Sequence, residues 1–440
     1  MNTALKKQKN VLLSWVVCFS AALFFAYELM QFHMLNAIAP MLLKEFNIGA
    51  TKFGYLCSTY LLADVIFLLP AGIILDRFST RKVILVALSF CIIGTFGFAT
   101  AQTFNQACLC HFLSGIGNAF CFLSCMMLVS RWFPVKKRAF IMGLMVTVGL
   151  LGGVVAQSPF SYLAETLKWR NALLVDGALG IALFALIFFL VKDRKQQEIT
   201  DEIENEIEKS KLPFFTGLKK SVVNRQNILC GLYTGFMNLP VMIIGAVWGS
   251  LFLTQIHGLP LAKASLVVSM ICTGTIVGSP IFGYISDKLQ KRVPLMLIGA
   301  VSSLLIFAFI LLTPQPTVPI LSTLFFLLGL FTSSQVIGYP TITESNPANL
   351  TGTSMGVAAV IIMGLPMLLQ PITGKLIELN WNGSMANGMP LYSLHDFFAA
   401  FSIFPIGFIL SFILARLIKE PKGKAIVKEV EEELDLIELS

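Results

Sequence analysis

Apolar residues in this chain neither alternate nor recur on a single helical face. They run for some twenty residues at a time, stop at short clusters of charge, glycine or proline, and begin again. A helix of about twenty apolar residues, rising 1.5 Å per residue, covers a hydrocarbon core of roughly 30 Å. With the charged clusters and Gly/Pro breaks as punctuation, the pattern predicts spans at 12–38, 53–75, 82–102, 106–130, 139–163 and 169–191, then at 227–255, 263–285, 293–313, 317–341, 352–377 and 394–418. The chain therefore reads as an all-α integral membrane protein of twelve transmembrane helices, six on each side of a polar stretch.

Four regions follow: a six-helix bundle over 1–192, a cytoplasmic linker over 193–226, a second six-helix bundle over 227–419 and a cytoplasmic acidic tail over 420–440. The Glu/Ile/Lys pattern at 198–211 suits a short amphipathic surface helix, and 429–438 reads as a solvated end. No soluble domain of useful size remains between the spans. Lys6, Lys7 and Lys9 before the first apolar run imitate a secretory signal, but the run continues past the length of such a signal and is expected to stay as the first helix.

Charge sets the orientation. Of 32 Lys and Arg residues, all but Lys44, Lys52, Lys168, Arg170, Lys263 and Lys375 fall on one side of the predicted topology, which puts 26 inside and both termini in the cytoplasm. One loop dissents, since 342–351 holds Glu344 and no basic residue. The net charge of +8 lies in these short clusters and not on one continuous face, which excludes a nucleic-acid partner. Hydrophobic residues make up 56% and charged residues 13% of the chain, so the expected partners are the lipid bilayer and a small-molecule solute. All nine cysteines fall within predicted spans and read as buried apolar thiols, with no metal or redox role.

One motif occurs twice. Gly72-Ile73-Ile74-Leu75-Asp76-Arg77-Phe78-Ser79-Thr80-Arg81-Lys82 follows the second span, and Gly283-Tyr284-Ile285-Ser286-Asp287-Lys288-Leu289-Gln290-Lys291-Arg292 follows the eighth. A shift of 211 residues superimposes the glycine, the aspartate, the base after it and the later arginine, so the chain carries an internal repeat of half its length. The glycine permits close helix packing. The aspartate can pair with arginines or with a neighbouring helix N-terminus, a contact that holds two bundles together in one state and releases them in another.

This motif resembles the signature loop of the major facilitator superfamily, and the resemblance extends over the whole chain through span count, linker and repeat. It implies two pseudo-symmetric six-helix bundles around a central cavity, with Asp76 as gating aspartate, Gly72, Arg77 and Arg81 as its partners, and Gly283, Asp287 and Arg292 as their counterparts. His111-Phe112-Leu113-Ser114-Gly115-Ile116-Gly117 is similar to the family's fourth-helix motif with histidine in place of its initial arginine. Ser158-Pro159 stands where antiporter members carry Gly-Pro, which favours uptake or facilitation over drug export. Residues 19–82 and Arg131-Trp132-Phe133-Pro134 are also similar to bacterial phagosomal transporters that import amino acids or related nutrients. From that resemblance comes the expectation of a bacterial inner membrane.

Ionisable groups deep in a membrane are functional candidates. Glu28 and His33 lie in the first span, Asp64 in the second and His111 in the fourth, and no Lys or Arg falls near a predicted midplane. A carboxylate in a low-dielectric cavity and a histidine both suit proton coupling. Glu28 is the expected proton or substrate group, with His111 or His33 as its partner. By the family's architecture, these three would face one another across the central cavity. Asn238, Trp248, Gln335, Tyr339 and Gln370 are the expected lining of the other half, as neutral donors, acceptors and an aromatic surface. Pro70, Pro159, Pro240, Pro340, Pro366 and Pro371 mark expected bends.

No Walker, HExxH or GxSxG motif is present, so no catalytic residues are assigned and direct ATP drive is not expected. The expected function is alternating-access symport of a small organic solute by a monomer, with no cofactor and no metal, driven by the proton gradient and directed to uptake of an amino acid, short peptide or related metabolite. An exporter of siderophores or metabolites, and a solute sensor that does not translocate, stay open as alternatives.

Overall fold

The computed structural model describes residues 2–133, 135–192, 214–313, 316–347, 350–386 and 388–420. The amphipathic pattern at 198–211 and the acidic tail lie outside them. Twelve helical spans are long and apolar enough to cross a membrane: Leu12–Glu45, Ala50–Leu75, Thr80–Thr100, Phe104–Trp132, Ile141–Leu167, Trp169–Leu190, Arg225–His257, Leu261–Leu289, Val293–Leu312, Val318–Glu344, Gly352–Leu379 and Leu394–Leu417. Their number and order match the hydropathy reading. Several run longer than expected because polar end residues stay helical, as at Glu45, Glu165 and Glu344. Part of the expected linker, Phe214–Val223, is a short helix, and the seventh span already begins at Arg225.

Apolar solvent leaves the backbone no partner except itself, which explains why helices and almost nothing else cross. The exceptions have local causes. The fifth span breaks between Val155 and Ser158, with Pro159 in the first turn beyond the break. Proline lacks the N–H that continues an α-helix, and its ring crowds the carbonyl four residues back. At Pro240 the seventh span accordingly changes to a π-helix, Pro240–Trp248, before resuming at Gly249. In the tenth span a 3-10 turn, Ser333–Ile337, lies just before Pro340. Pro70, Pro366 and Pro371 instead sit within unbroken helices.

Alternation of the spans puts the duplicated loops, the start of span 1 and the end of span 12 on one face, called the motif face here. The opposite face carries a two-stranded hairpin between spans 11 and 12, Met385–Ala386 paired antiparallel with Met389–Pro390. Toward that opposite face the two halves are bonded together. A Cβ on Gly54 of span 2 would stand 2.9 Å from Pro371 Cα of span 11, so only glycine allows this crossing. Tyr392 accepts a hydrogen bond from Ala50 N at 2.8 Å, and Thr51 donates to Glu378.

Packing between spans 2 and 11 continues to Leu69 against Gly356. Past that level the picture changes, because Gly72, Gly143, Gly283 and Gly352 have no atom of the described residues within 4 Å of a Cβ position. The expectation that Gly72 and Gly283 serve close helix packing is therefore not met in this state; the bundles separate toward the motif face and leave these glycines open.

Inside the first bundle, a Cβ on Gly94 would lie 2.5 Å from Cys110 O and 2.6 Å from Ser114 N. Gly94→Ala should force spans 3 and 4 apart and destabilise the protein by about 1–3 kcal/mol, the usual range for overpacking. Gly143→Ala, with open space around it, should leave the thermal unfolding midpoint in detergent unchanged. Equal midpoints for the two variants would refute this packing account.

Candidate functional site

The four expected proton or substrate residues fall in the first bundle, and the structure divides them. Glu28 is fully buried; its Oε2 accepts a hydrogen bond from Tyr60 Oη at 3.0 Å, and its Oε1 has no partner. The carboxylate lies against Gly117 of span 4, where any side chain would displace it. Asp64 is buried beside Asn118, also on span 4. His111 packs its ring on Tyr60 at 5.1 Å and on Phe98 at 5.6 Å, and its Nε2 has no partner. Tyr60 thus stands between Glu28 and His111.

Two expectations need correction. Neither histidine hydrogen-bonds Glu28, and the polar groups and backbone around Glu28 belong to spans 2, 3, 4 and 6 of its own bundle, so it does not look across a cavity between the bundles. Helical geometry supplies the reason. Five residues at about 100° each carry His33 roughly 140° around the helix from Glu28. His33 accordingly meets Gly153 of span 5, with its Nδ1 at 2.9 Å from Leu29 O.

Sequence reasoning passed over a third buried acid of the first bundle. Asp176 lies in span 6, seven residues past Trp169, where that span starts. It accepts a hydrogen bond from Gln31 Nε2, its backbone carbonyl accepts one from Tyr27 Oη at 3.2 Å, and its Oδ1 has no partner. Thr95 donates to Gln31 Oε1 at 3.1 Å, which ties spans 1, 3 and 6 together. The signal was available, since the rule that picks out Glu28 in an apolar run applies equally here. Among the described residues, no Lys or Arg forms an ion pair with Glu28, Asp64 or Asp176.

The second bundle holds the expected neutral groups in two conditions. Trp248 Nε1 donates to Gln370 Oε1 at 3.0 Å, and Gln370 Nε2 donates to Met242 O at 2.8 Å. Both side chains are buried and their polar atoms are spent on each other and on the π-helix. Asn238, Gln335 and Tyr339 have no side-chain hydrogen bond among the described residues and keep their capacity for a ligand.

In the second copy of the duplicated loop, Arg292 donates to Asp287 at 2.6 Å and grips Glu344 with two nitrogens, at 2.7 and 3.3 Å. Glu344, the acid that looked out of place on its loop, is thus the partner of an arginine on the loop before it. Partial burial works against the Arg292 charge, yet the bonds to Glu344 and Asp287 outweigh it and hold its pKa above the ordinary value. In the first copy Arg81 donates to Phe188 O and lies over the Phe188 ring. The Asp76 side chain lies outside the described residues, and Arg77 is exposed.

Comparison with known proteins bears on the fold as a whole. The family profile described as Major Facilitator Superfamily matches residues 16–371. An uncharacterized transporter of Bacillus subtilis, YybO, is 26% identical over 59% of this chain, and the match covers 61% of that protein, less than two thirds of its length. The membrane sensor protein UhpC of Salmonella typhimurium is 24% identical over 80% of this chain and 83% of its own. Among solved structures, a bacterial homolog of the human lysosomal transporter Spinster, inward-facing and unoccupied, superimposes with a TM-score of 0.75 at 14% identity, covering 94% of this chain and 99% of that one. A D-xylose–proton symporter gives 0.69 at 16% identity over 93% and 98%.

The paired geometry of Arg292 gives a prediction. Asp287 is 68% exposed and Glu344 30%, so water screens the first pair more strongly. Double-mutant cycles on thermal unfolding should give a coupling of about 1 kcal/mol for Arg292 with Glu344, the upper end for partly exposed pairs, and a smaller one for Arg292 with Asp287. The reverse order would contradict the assigned roles.

Proposed function

This chain belongs to the major facilitator superfamily, and from that premise we propose that it is a secondary transporter that takes up a small organic solute together with protons. The observation that carries the reading is the set of buried acids, Glu28, Asp64 and Asp176, without a cationic partner among the described residues. An unpaired charge in such surroundings costs several kcal/mol, whereas the neutral acid costs little. A group in that position can take a proton from one side and release it to the other when its surroundings change. Glu28 is the principal carrier in this reading, because it touches span 4 directly and meets span 2 through Tyr60.

The same absence of cations informs the substrate. Relatives include a hexuronate transporter and a probable galactarate/D-glucarate transporter, both named for carboxylate-bearing sugars. This chain has no Lys or Arg near the middle of any span to meet such a charge. We therefore assign it a solute without net negative charge, with amino acids and short peptides foremost, bound by Asn238, Gln335 and Tyr339. The Lys and Arg distribution supports a cytoplasmic motif face, and the similarity to bacterial transporters supports a bacterial inner membrane. A second reading has one specific support, the similarity to a membrane sensor. Binding without flux would favour it.

In proteoliposomes, an inward proton gradient should drive accumulation of a transported amino acid or peptide. Glu28→Gln should abolish that accumulation, by tenfold or more, while exchange of labelled for unlabelled solute persists. Gradient-driven uptake unchanged in Glu28→Gln would sink the assignment.

A further inference from the structure

Two defects in the helical backbone lie at the same depth, one in each bundle. Span 5 is interrupted at Gln157, ten residues before its end at Leu167; span 7 leaves its π-helix at Trp248, nine residues before His257. Where the π-helix ends, Gly249 N bonds to Ile244 O, while Ser250 N and Gly245 O each meet a side chain of the first bundle. Buried backbone groups left without a partner are costly.

Amide side chains of the first bundle supply what is missing. Gln157 Nε2 donates to Gly245 O at 2.6 Å. Asn36 Oδ1 accepts from Ser250 N at 2.7 Å, while Asn36 Nδ2 donates to Ser250 Oγ at 2.7 Å and to Gln157 Oε1. Ser250 Oγ in turn lies 3.0 Å from Ser265 Oγ of span 8. Asn36, Gln157, Ser250 and Ser265 are buried, and none carries a charge.

We propose that Asn36 and Gln157 are the gating residues of the outer side, a neutral latch that closes on the irregular backbone of span 7 and sets the balance between inward-open and outward-open states. With the latch closed, each loose backbone group has a partner. When the bundles part on this face, water entering the vestibule takes over those partners, so the same groups tolerate both states and the latch can cycle. A continuous α-helix through span 7 would offer no free carbonyl or N–H to hold. The proposal rests on the transporter reading and is independent of proton coupling.

The test needs no known solute. Spin labels on noncanonical residues at Gln102 and Thr317 report the outer separation of the bundles, and at Lys192 and Lys291 the inner one, with the native cysteines kept. Gln157→Met keeps the volume and removes both latch bonds of that side chain. The long outer-distance component should then grow relative to the short one by roughly tenfold, the factor that corresponds to about 1.4 kcal/mol. The inner distance should shorten in step, a change that mere loosening would not cause. Ser250→Ala, a smaller perturbation, should move both distances the same way by a few-fold. Unchanged distributions in both variants would overturn the proposal, as would outer broadening without inner shortening. If Gln157→Met does not fold, Ser250→Ala decides alone, with no shift counting against the latch.

Discussion

Hydrocarbon offers a polar group nothing to bond to, and most of what is distinctive in this protein is a response to that fact. Helices dominate because each span can satisfy its own backbone. Where proline or a turn prevents that, in spans 5, 7 and 10, the structure supplies a tighter or looser helical turn and borrows side chains from neighbours. Gln370 reaches Met242 O from within the same bundle, and Gln157 reaches Gly245 O from the other. The buried carboxyl groups of Glu28 and Asp176 each retain one oxygen without a donor, a condition that a bound proton relieves.

The same constraint separates what is legible in the sequence from what is not. A span of twenty apolar residues is an extended signal, so hydropathy alone yields the number and order of the spans. The 211-residue repeat is equally plain, because two charged loops at matching positions stand out against an apolar background. Single polar residues are harder. Charge alone picks out Glu28 and Asp64, and Asp176 satisfies the same rule but escapes a reading centred on spans 1, 2 and 4. Asn36 and Gln157 give no such signal, since an amide in a transmembrane helix most often only glues helices together. Their significance appears when the π-helix is seen, and a π-helix has no dependable sequence mark beyond Pro240.

Direction is the other gap. That Glu28, His33 and His111 lie in spans 1 and 4 does not reveal which way each points. Helical phase separates Glu28 from His33, and the absence of a side chain at Gly117 lets span 4 approach the carboxylate and draw it into the bundle. Acid chemistry thus sits within the first half, while the unbonded neutral groups Asn238, Gln335 and Tyr339 sit in the second. Coupling between them would have to pass through the contact between bundles, which in this state is bonded at one end and open at the other.

The claim on which this account turns is that an unpaired interior acid moves a proton whenever solute moves. External pH of lightly buffered proteoliposomes, recorded as a panel of amino acids and short peptides is added without any imposed gradient, tests it directly. The account predicts alkalinisation outside the vesicles for the transported solute and none for the rest. Entry of labelled solute with no pH change, at rates a pH electrode would register, would contradict it.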